Sequence, residues 1–145
     1  MRYLLQIACS LLLLTAGFQN VSAGTPKSFQ KIPNLQWVTI EVRDGLIYDE
    51  VWNSAIDILI GDFDLAVVSK ESGYLRTDWL YSFGGTYKAN YRVRATIRLA
   101  PDGKTIRIKT EAQVADGNNW IVGVDSRLLT TLKTDLMGKI GRTTR

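Results

Sequence analysis

The sequence predicts an α+β fold, an antiparallel β-sheet meander with one helix after its first strand and a long C-terminal helix packed on one face. Two observations support this prediction. Several consecutive segments alternate apolar with polar residues, which is the period of a half-buried strand. Two other segments, one early and one at the end, repeat apolar residues at helical spacing. Helices that are segregated from a run of short strands favour α+β over an alternating βαβ architecture.

The start of the chain is typical of a cleavable secretory signal. Arg2 supplies a short positive region, residues 3–18 are almost entirely apolar, and residues 21–23 have the small-x-small pattern that signal peptidase recognises. A lipidation signal at Cys9 fits less well, because only six residues separate Cys9 from Arg2 and the strongest apolar run follows it. We therefore expect a signal peptide at residues 1–23, and no transmembrane segment in the mature chain.

Composition narrows the chemistry that the mature chain can perform. Removal of 23 residues from the 145-residue chain leaves 122 residues, which contain neither cysteine nor histidine. Thiolate nucleophiles, disulfides, histidine-based triads and the usual zinc sites are therefore excluded, and we predict no cofactor and no metal site. The mature chain carries 17 Lys and Arg against 14 Asp and Glu. This mild excess of positive charge argues against a nucleic-acid binder.

The first elements of the mature chain are a leader, a strand and a helix. Residues 24–34 are polar and contain two prolines, so we predict a flexible leader ahead of a single domain at residues 35–145. Period-two alternation over residues 36–42 predicts a strand. Residues 47–60 then repeat apolar side chains at helical spacing, with two acidic residues in the first turn, where the helix dipole favours them.

Two strand-like segments follow this helix. Residues 65–69 are apolar enough for a buried strand. Residues 74–83 alternate, and we predict one continuous strand there. The side chains of its predicted inner face are Leu75, Thr77, Trp79, Tyr81 and Phe83. This aromatic face either packs as core beneath a helix or lines a pocket between the sheet and the C-terminal helix.

A hairpin at residues 91–114 is the most sharply patterned part of the chain. Its apolar side chains occupy odd positions in the first strand and even positions in the second, and both sets must face the core. This parity requires a loop of two or four residues, and a two-residue loop at Asp102-Gly103 satisfies it. The resulting cross-strand pairs are Arg98 with Arg107 and Arg94 with Glu111.

The chain closes with a strand and a helix. Residues 120–124 form a short apolar strand after a turn. Asp125 or Ser126 is then predicted to cap a final helix. The apolar stripe of that helix consists of Leu128, Leu129, Leu132, Leu136 and Ile140.

The polar face of the hairpin is the most specific candidate surface. Its cations are Arg92, Arg94, Arg98, Arg107 and Lys109. Such a face is either a solvated surface or a binding surface. Arg98 opposite Arg107 costs sheet stability, and the planar fork of arginine suits recognition of carboxylate or phosphate. We therefore predict binding to an envelope protein or an anionic envelope surface.

Two other functions compete with this hypothesis. A carrier of a small hydrophobic ligand would line its pocket with Trp79, Tyr81 and Phe83. A hydrolase would need paired carboxylates, for which residues 49–50 and 62–64 are the candidates. Acidic residues in such positions are more typical of helix ends and turns, so we predict that the protein is not an enzyme.

Residues 50–81 resemble the helix-grip modules of BamC, a lipoprotein of the outer-membrane β-barrel assembly machinery. The shared features are Val51-Trp52 near the start of an amphipathic helix, then a strand, a turn that contains Gly73, and a strand that ends near Trp79. The anchoring cysteine of that family has no good counterpart here. The resemblance implies a non-enzymatic envelope domain in which a curved antiparallel sheet grips a helix. Together with the export signal, it predicts a periplasmic or outer-membrane-associated binding module that takes part in outer-membrane protein assembly.

Overall fold

The computed structural model describes residues 24–143, so the predicted signal peptide lies outside the described residues. Within this part of the chain, seven strands and two helices follow one another. Their bounds are β1 Phe29–Lys31, β2 Val38–Glu41, α1 Tyr48–Ile60, β3 Leu65–Ser69, β4 Tyr74–Thr77, β5 Tyr91–Leu99, β6 Thr105–Asp116, β7 Asn119–Asp125 and α2 Ser126–Ile140.

The seven strands form one antiparallel sheet. Its order is β1-β7-β6-β5-β4-β3, and β2 pairs with β6 beside β7. The 12-residue β6 is the central strand, because β5 runs along one of its sides while β2 and β7 occupy the two ends of the other. Helix α1 follows the first strands and α2 packs on the sheet, so the predicted α+β fold is confirmed.

An apolar core fills the space between the helices and the inner face of the sheet, which is the face that the helices cover. The helices contribute Val51, Trp52, Ala55 and Leu59 from α1, and Leu128, Leu132, Leu136 and Ile140 from α2. The hairpin contributes mainly Val93, Ala95, Ile97, Leu99, Ile106, Ile108 and Ala112. The helical stripe and the alternating strands predicted from the sequence therefore supply this core.

Helix α2 begins at a buried cap. Asp125 accepts hydrogen bonds from the backbone N–H groups of Arg127 at 2.9 Å and Leu128 at 3.0 Å. Its other carboxylate oxygen accepts from Ser28 Oγ at 2.7 Å and from the hydroxyl of Tyr91. The cap thus satisfies two free N–H groups of the helix and ties α2 to β5 and to the segment before β1.

The predicted hairpin register is confirmed. Arg98 lies opposite Arg107, and Arg94 lies opposite Glu111. The N–H of Ala100 donates to the carbonyl of Thr105 at 2.9 Å, so the loop has four residues, 101–104. The sequence predicted a loop of two residues, and both lengths give the same parity.

The leader predicted to be flexible at residues 24–34 contains a strand instead. Phe29–Lys31 forms β1 and pairs with β7. A strand of three residues between two prolines leaves almost no periodic signal, which is why it was missed. Gly123 of β7 permits the pairing, because a Cβ there would lie 2.3 Å from the carbonyl oxygen of Gln30 and 2.7 Å from the Phe29 ring.

Strand β3 is an edge strand and is not buried as predicted. It pairs with β4 alone within the described sheet. Val68 consequently leaves 53% of its surface exposed. An apolar run in the sequence does not distinguish an edge strand from a central one.

The strand predicted at residues 74–83 ends at Thr77. Thr77 Oγ1 accepts a hydrogen bond from the N–H of Ala95 at 3.0 Å, in the place of a backbone carbonyl. The next N–H, that of Asp78, lies on the β3 side, as alternation along the strand requires, and donates to the carbonyl of Asp64 at 2.8 Å. The ladder between β4 and β5 is therefore interrupted after Thr77.

After Thr77, pairing with β5 resumes with its register shifted by one residue. Leu80 pairs with Val93, whereas a register continuous with β4 would place Trp79 there. A shift of one residue exchanges the two faces of a strand. Leu80 therefore joins Leu75 on the inner side, and the prediction that Trp79 and Tyr81 face inward is wrong.

Candidate functional site

The five predicted cations all lie on the outer face, which is the surface of the sheet turned away from the helices. They are Arg92, Arg94 and Arg98 of β5 and Arg107 and Lys109 of β6. Each alternates with buried neighbours on the inner face. The alternation thus places these residues correctly, but the structure divides them into two groups with different surroundings.

Arg94 is neutralised within the protein. Its Nε and Nη2 atoms donate to Glu111 Oε2 at 2.9 and 2.6 Å. The other carboxylate oxygen of Glu111 accepts from Gln113 Nε2 at 2.7 Å. The charge of this guanidinium and two of its three nitrogen atoms are therefore already engaged.

Arg92 is fixed even more completely. Its Nε and Nη2 atoms donate to Gln113 Oε1 at 2.9 and 2.7 Å, and Nη1 donates to the hydroxyl of Tyr81 at 3.1 Å. Its Cζ atom lies 4.3 Å from the centroid of the Trp79 ring and 4.0 Å from that of Trp120. A guanidinium between two indole rings gains cation–π attraction from both. Arg92 therefore belongs to the scaffold of the sheet.

The remaining three cations differ from both, because they have neither a counter-charge nor a side-chain hydrogen-bond partner among the described residues. Among residues 24–143, Arg98, Arg107 and Lys109 form no ion pair. Arg98 and Arg107 are exposed and face each other across β5 and β6. Like charges directly opposite in a sheet are destabilising, so this pair carries a cost that no acidic side chain of the described residues offsets.

Arg76 joins this group, and the sequence analysis did not select it. It lies on the outer face of β4 between the buried Leu75 and Thr77, opposite Thr96. Thr96 is in turn opposite Lys109, so Arg76 and Lys109 form the row of the sheet next to the opposed arginines. Alternation with Leu75 and Thr77 was the signal that could have found it. We define the cationic patch as Arg76, Arg98, Arg107 and Lys109.

Aromatic rings border the cationic patch on two sides. The Cζ atom of Arg98 lies 5.5 Å from the centroid of the Tyr74 ring on β4. On the other side, Trp37 lies 5.3 Å from the Cζ atom of Arg107 and 4.8 Å from the Nζ atom of Lys109. Each of the two arginines therefore lies beside an aromatic ring, and the two rings are at opposite margins of the patch.

The aromatic residues predicted to line a ligand pocket are not brought together under the C-terminal helix. Trp79 and Tyr81 contact Arg92 on the outer face. Phe83 packs against the edge of the core, with the Cζ atom of Arg127 at 4.7 Å from its ring centroid. Separate open clefts of about 270 and 390 Å³ border Trp79 and Phe83. The predicted carrier pocket between sheet and helix is therefore not formed by these three residues.

The candidate carboxylates occupy two separate places. Asp49 pairs with Lys70 at 3.0 Å on the surface, while Asp62 and Asp64 line the cleft beside Trp79. No cluster of three or more potential metal ligands occurs among residues 24–143. In the same part of the chain, no helix is long and apolar enough to span a membrane.

Comparison with known proteins adds no family to this description. No protein-family model matches the chain, and no curated protein matches it significantly.

Proposed function

We propose that the protein is a non-enzymatic, exported binding module of the bacterial cell envelope, and that it binds an anionic partner through the cationic patch. The observation that carries this proposal is the opposition of Arg98 and Arg107 without an acidic partner in the described residues. A protein that needed these side chains only for solubility would gain more stability from alternating signs of charge across the strands.

The contrast with the neighbouring arginines supports the same interpretation. Arg92 and Arg94 belong to the same strand, and the protein supplies a hydrogen-bonding partner for each. The outer face therefore supplies partners for arginine within the fold, a carboxylate for Arg94 and neutral side chains for Arg92. The cationic patch, by contrast, keeps its charge for a partner outside the described residues, because an external anion can offset the repulsion when it binds.

The location of the partner follows from the sequence. The predicted signal peptide favours export, and the resemblance to BamC modules favours a role beside the outer-membrane assembly machinery. Anionic lipids, phosphorylated glycolipids and acidic protein surfaces all occur in that compartment. A mature chain without cysteine and histidine fits a binding function better than catalysis.

Cosedimentation with the envelope fraction of a Gram-negative bacterium tests this proposal. We expect a double charge reversal, Arg98→Glu with Arg107→Glu, to remove most of the sedimenting protein. Raised salt should weaken the wild-type association, because exposed charges are screened within roughly 8–10 Å at moderate ionic strength.

The matched control is Lys31→Glu with Lys133→Glu. It changes the net charge by the same amount at two exposed lysines, one on β1 and one on α2. The control should sediment as the wild type does. Equal loss in both variants, or no sedimentation of the wild type, would contradict a role for the cationic patch.

A further inference from the structure

An open cleft lies at the hairpin end of the cationic patch. Its volume is about 520 Å³, and its lining includes Ser72, Arg98, Pro101, Thr105 and Arg107. Both opposed arginines thus border the same cleft, together with the hydroxyl side chains of Ser72 and Thr105. The Ser72 hydroxyl already donates to Ser69 Oγ at 2.7 Å, so the donors that the lining offers to an anion are the two guanidinium groups and the Thr105 hydroxyl.

The walls of this cleft are held in place by the fold. The N–H of Leu99 donates to the carbonyl of Gly73 at 2.8 Å, which ties the turn between β3 and β4 to the end of β5. Gly73 has a φ of +64°, and a Cβ there would lie 2.3 Å from the Leu99 carbonyl oxygen. The hydroxyl of Tyr48 in α1 also donates to the carbonyl of Lys70 at 2.6 Å. Ser72 is therefore positioned beside Arg98 before any ligand arrives.

We propose that this cleft binds the phosphate group of an anionic envelope lipid. The inference rests on the proposed function and names the chemistry of its partner. Two arginines that line one cleft match a group that carries up to two negative charges and several acceptor oxygens. A single carboxylate of an acidic protein offers one charge and two oxygens, which leaves part of this donor set unused.

The aromatic margins favour a lipid as the source of the phosphate. Trp37 and Tyr74 flank the arginines on the same outer face. Indole and phenol rings are amphipathic and prefer the interface between headgroups and acyl chains. The arginines that line the cleft are therefore flanked by two side chains that suit the surface of a bilayer.

Flotation with lipid vesicles tests the proposal. The probes are phosphatidylcholine vesicles that contain phosphatidic acid, and phosphatidylcholine vesicles that contain oleate and are matched in surface potential. We expect the mature protein to bind the phosphatidic acid vesicles about tenfold more tightly, a difference of the size given by extra charge-assisted hydrogen bonds. Equal binding to both vesicles overturns phosphate recognition.

Variants then separate geometry from charge. Arg98→Lys with Arg107→Lys keeps both charges and loses the planar forks, so the preference for phosphatidic acid should disappear while binding to oleate vesicles persists. Lys31→Gln with Lys133→Gln is the control and should keep the preference. Retention of the full preference in the double lysine variant overturns recognition by the two arginines.

Two further probes identify the source of the phosphate. We expect inorganic phosphate to compete only weakly, because it lacks contacts with the aromatic margins. Binding of inorganic phosphate without binding of vesicles overturns the lipid assignment, and so does tighter binding to polyglutamate than to phosphatidic acid. If the charge reversal abolishes envelope association but the vesicles show no phosphate preference, the proposed function stands and this inference fails.

Discussion

The guanidinium carbon of Arg92 lies 4.0 Å from the centroid of the Trp120 ring, so a cation of β5 is covered by an aromatic side chain of β7. Trp79 covers the opposite face of the same guanidinium at 4.3 Å. The two rings come from different parts of the fold, Trp79 from the segment after β4 and Trp120 from β7. Arg92 therefore stabilises the fold, although the sequence placed it among the candidate binding residues.

We expect Arg92→Gln to lower the free energy of unfolding by about 2 kcal/mol, because it removes two cation–π contacts and the hydrogen bonds to Gln113. The comparison is Arg107→Gln, which removes a charge of the same kind from the cationic patch and should leave the free energy of unfolding unchanged or slightly raised, because it also relieves the repulsion of Arg98. Urea denaturation followed by tryptophan fluorescence measures both. Similar losses for the two variants would argue against a structural role specific to Arg92.

Removal of one member of the opposed pair should stabilise the protein. We expect Arg98→Thr to raise the free energy of unfolding by about 0.2–1 kcal/mol, because it relieves repulsion by Arg107 and introduces a residue that favours strands. The gain should shrink in high salt, since screening already weakens the repulsion in the wild type. Lys31→Thr is the control on another strand. Destabilisation by Arg98→Thr would mean that the pair carries no cost.

The hairpin register was predictable because two long alternating strands leave one parity for the loop, and a slip would expose a whole apolar face. The reversal of Trp79 was not predictable in this way. It depends on a hydrogen bond between Thr77 Oγ1 and the N–H of Ala95, which are far apart in sequence. Strand β1 was missed for a related reason, because its pairing depends on the space beside Gly123.

The candidate surface was only partly predictable from the sequence. Alternation identified which cations share the outer face, since that depends on period alone. It could not tell which of them have hydrogen-bonding partners within the fold. That property depends on how the side chains of Glu111 and Gln113 reach Arg94 and Arg92, and on the tryptophans that arrive from other strands.

The attachment of β1 can be tested at Gly123. A Cβ at this position would lie 2.3 Å from the carbonyl oxygen of Gln30 and 2.7 Å from the Phe29 ring. We expect Gly123→Val to detach β1 while the rest of the sheet persists, because β1 pairs only with β7 at the edge. Hydrogen exchange should show lost protection at the N–H of Gln30, the residue of β1 whose backbone faces β7, and retained protection in β5. Unchanged exchange at Gln30 would contradict the pairing.

The buried pair of Tyr91 and Asp125 predicts a specific dependence of stability on pH. The hydroxyl of Tyr91 donates to Asp125 Oδ2, which also accepts from Ser28 Oγ. Burial raises the pKa of Tyr91 above its ordinary value, and the hydrogen bond to Asp125 and its negative charge raise it further. In the folded protein, the phenol therefore stays protonated at a pH where a phenol in an unfolded chain has lost its proton.

The sign of the effect follows from proton binding. The unfolded state releases the Tyr91 proton near pH 10, and the folded state keeps it, so the stabilisation is complete below about pH 10 and declines above it.

Tyr91→Phe removes this titration and one hydrogen bond to a buried carboxylate. We expect the wild type to be more stable by about 1–3 kcal/mol at neutral pH, with the difference shrinking as the pH rises beyond about 10. Urea denaturation of both proteins at several pH values isolates the effect, since their other tyrosines and lysines are identical. A difference that stays constant up to the alkaline limit of folding would show that Tyr91 does not ionise more readily in the unfolded chain.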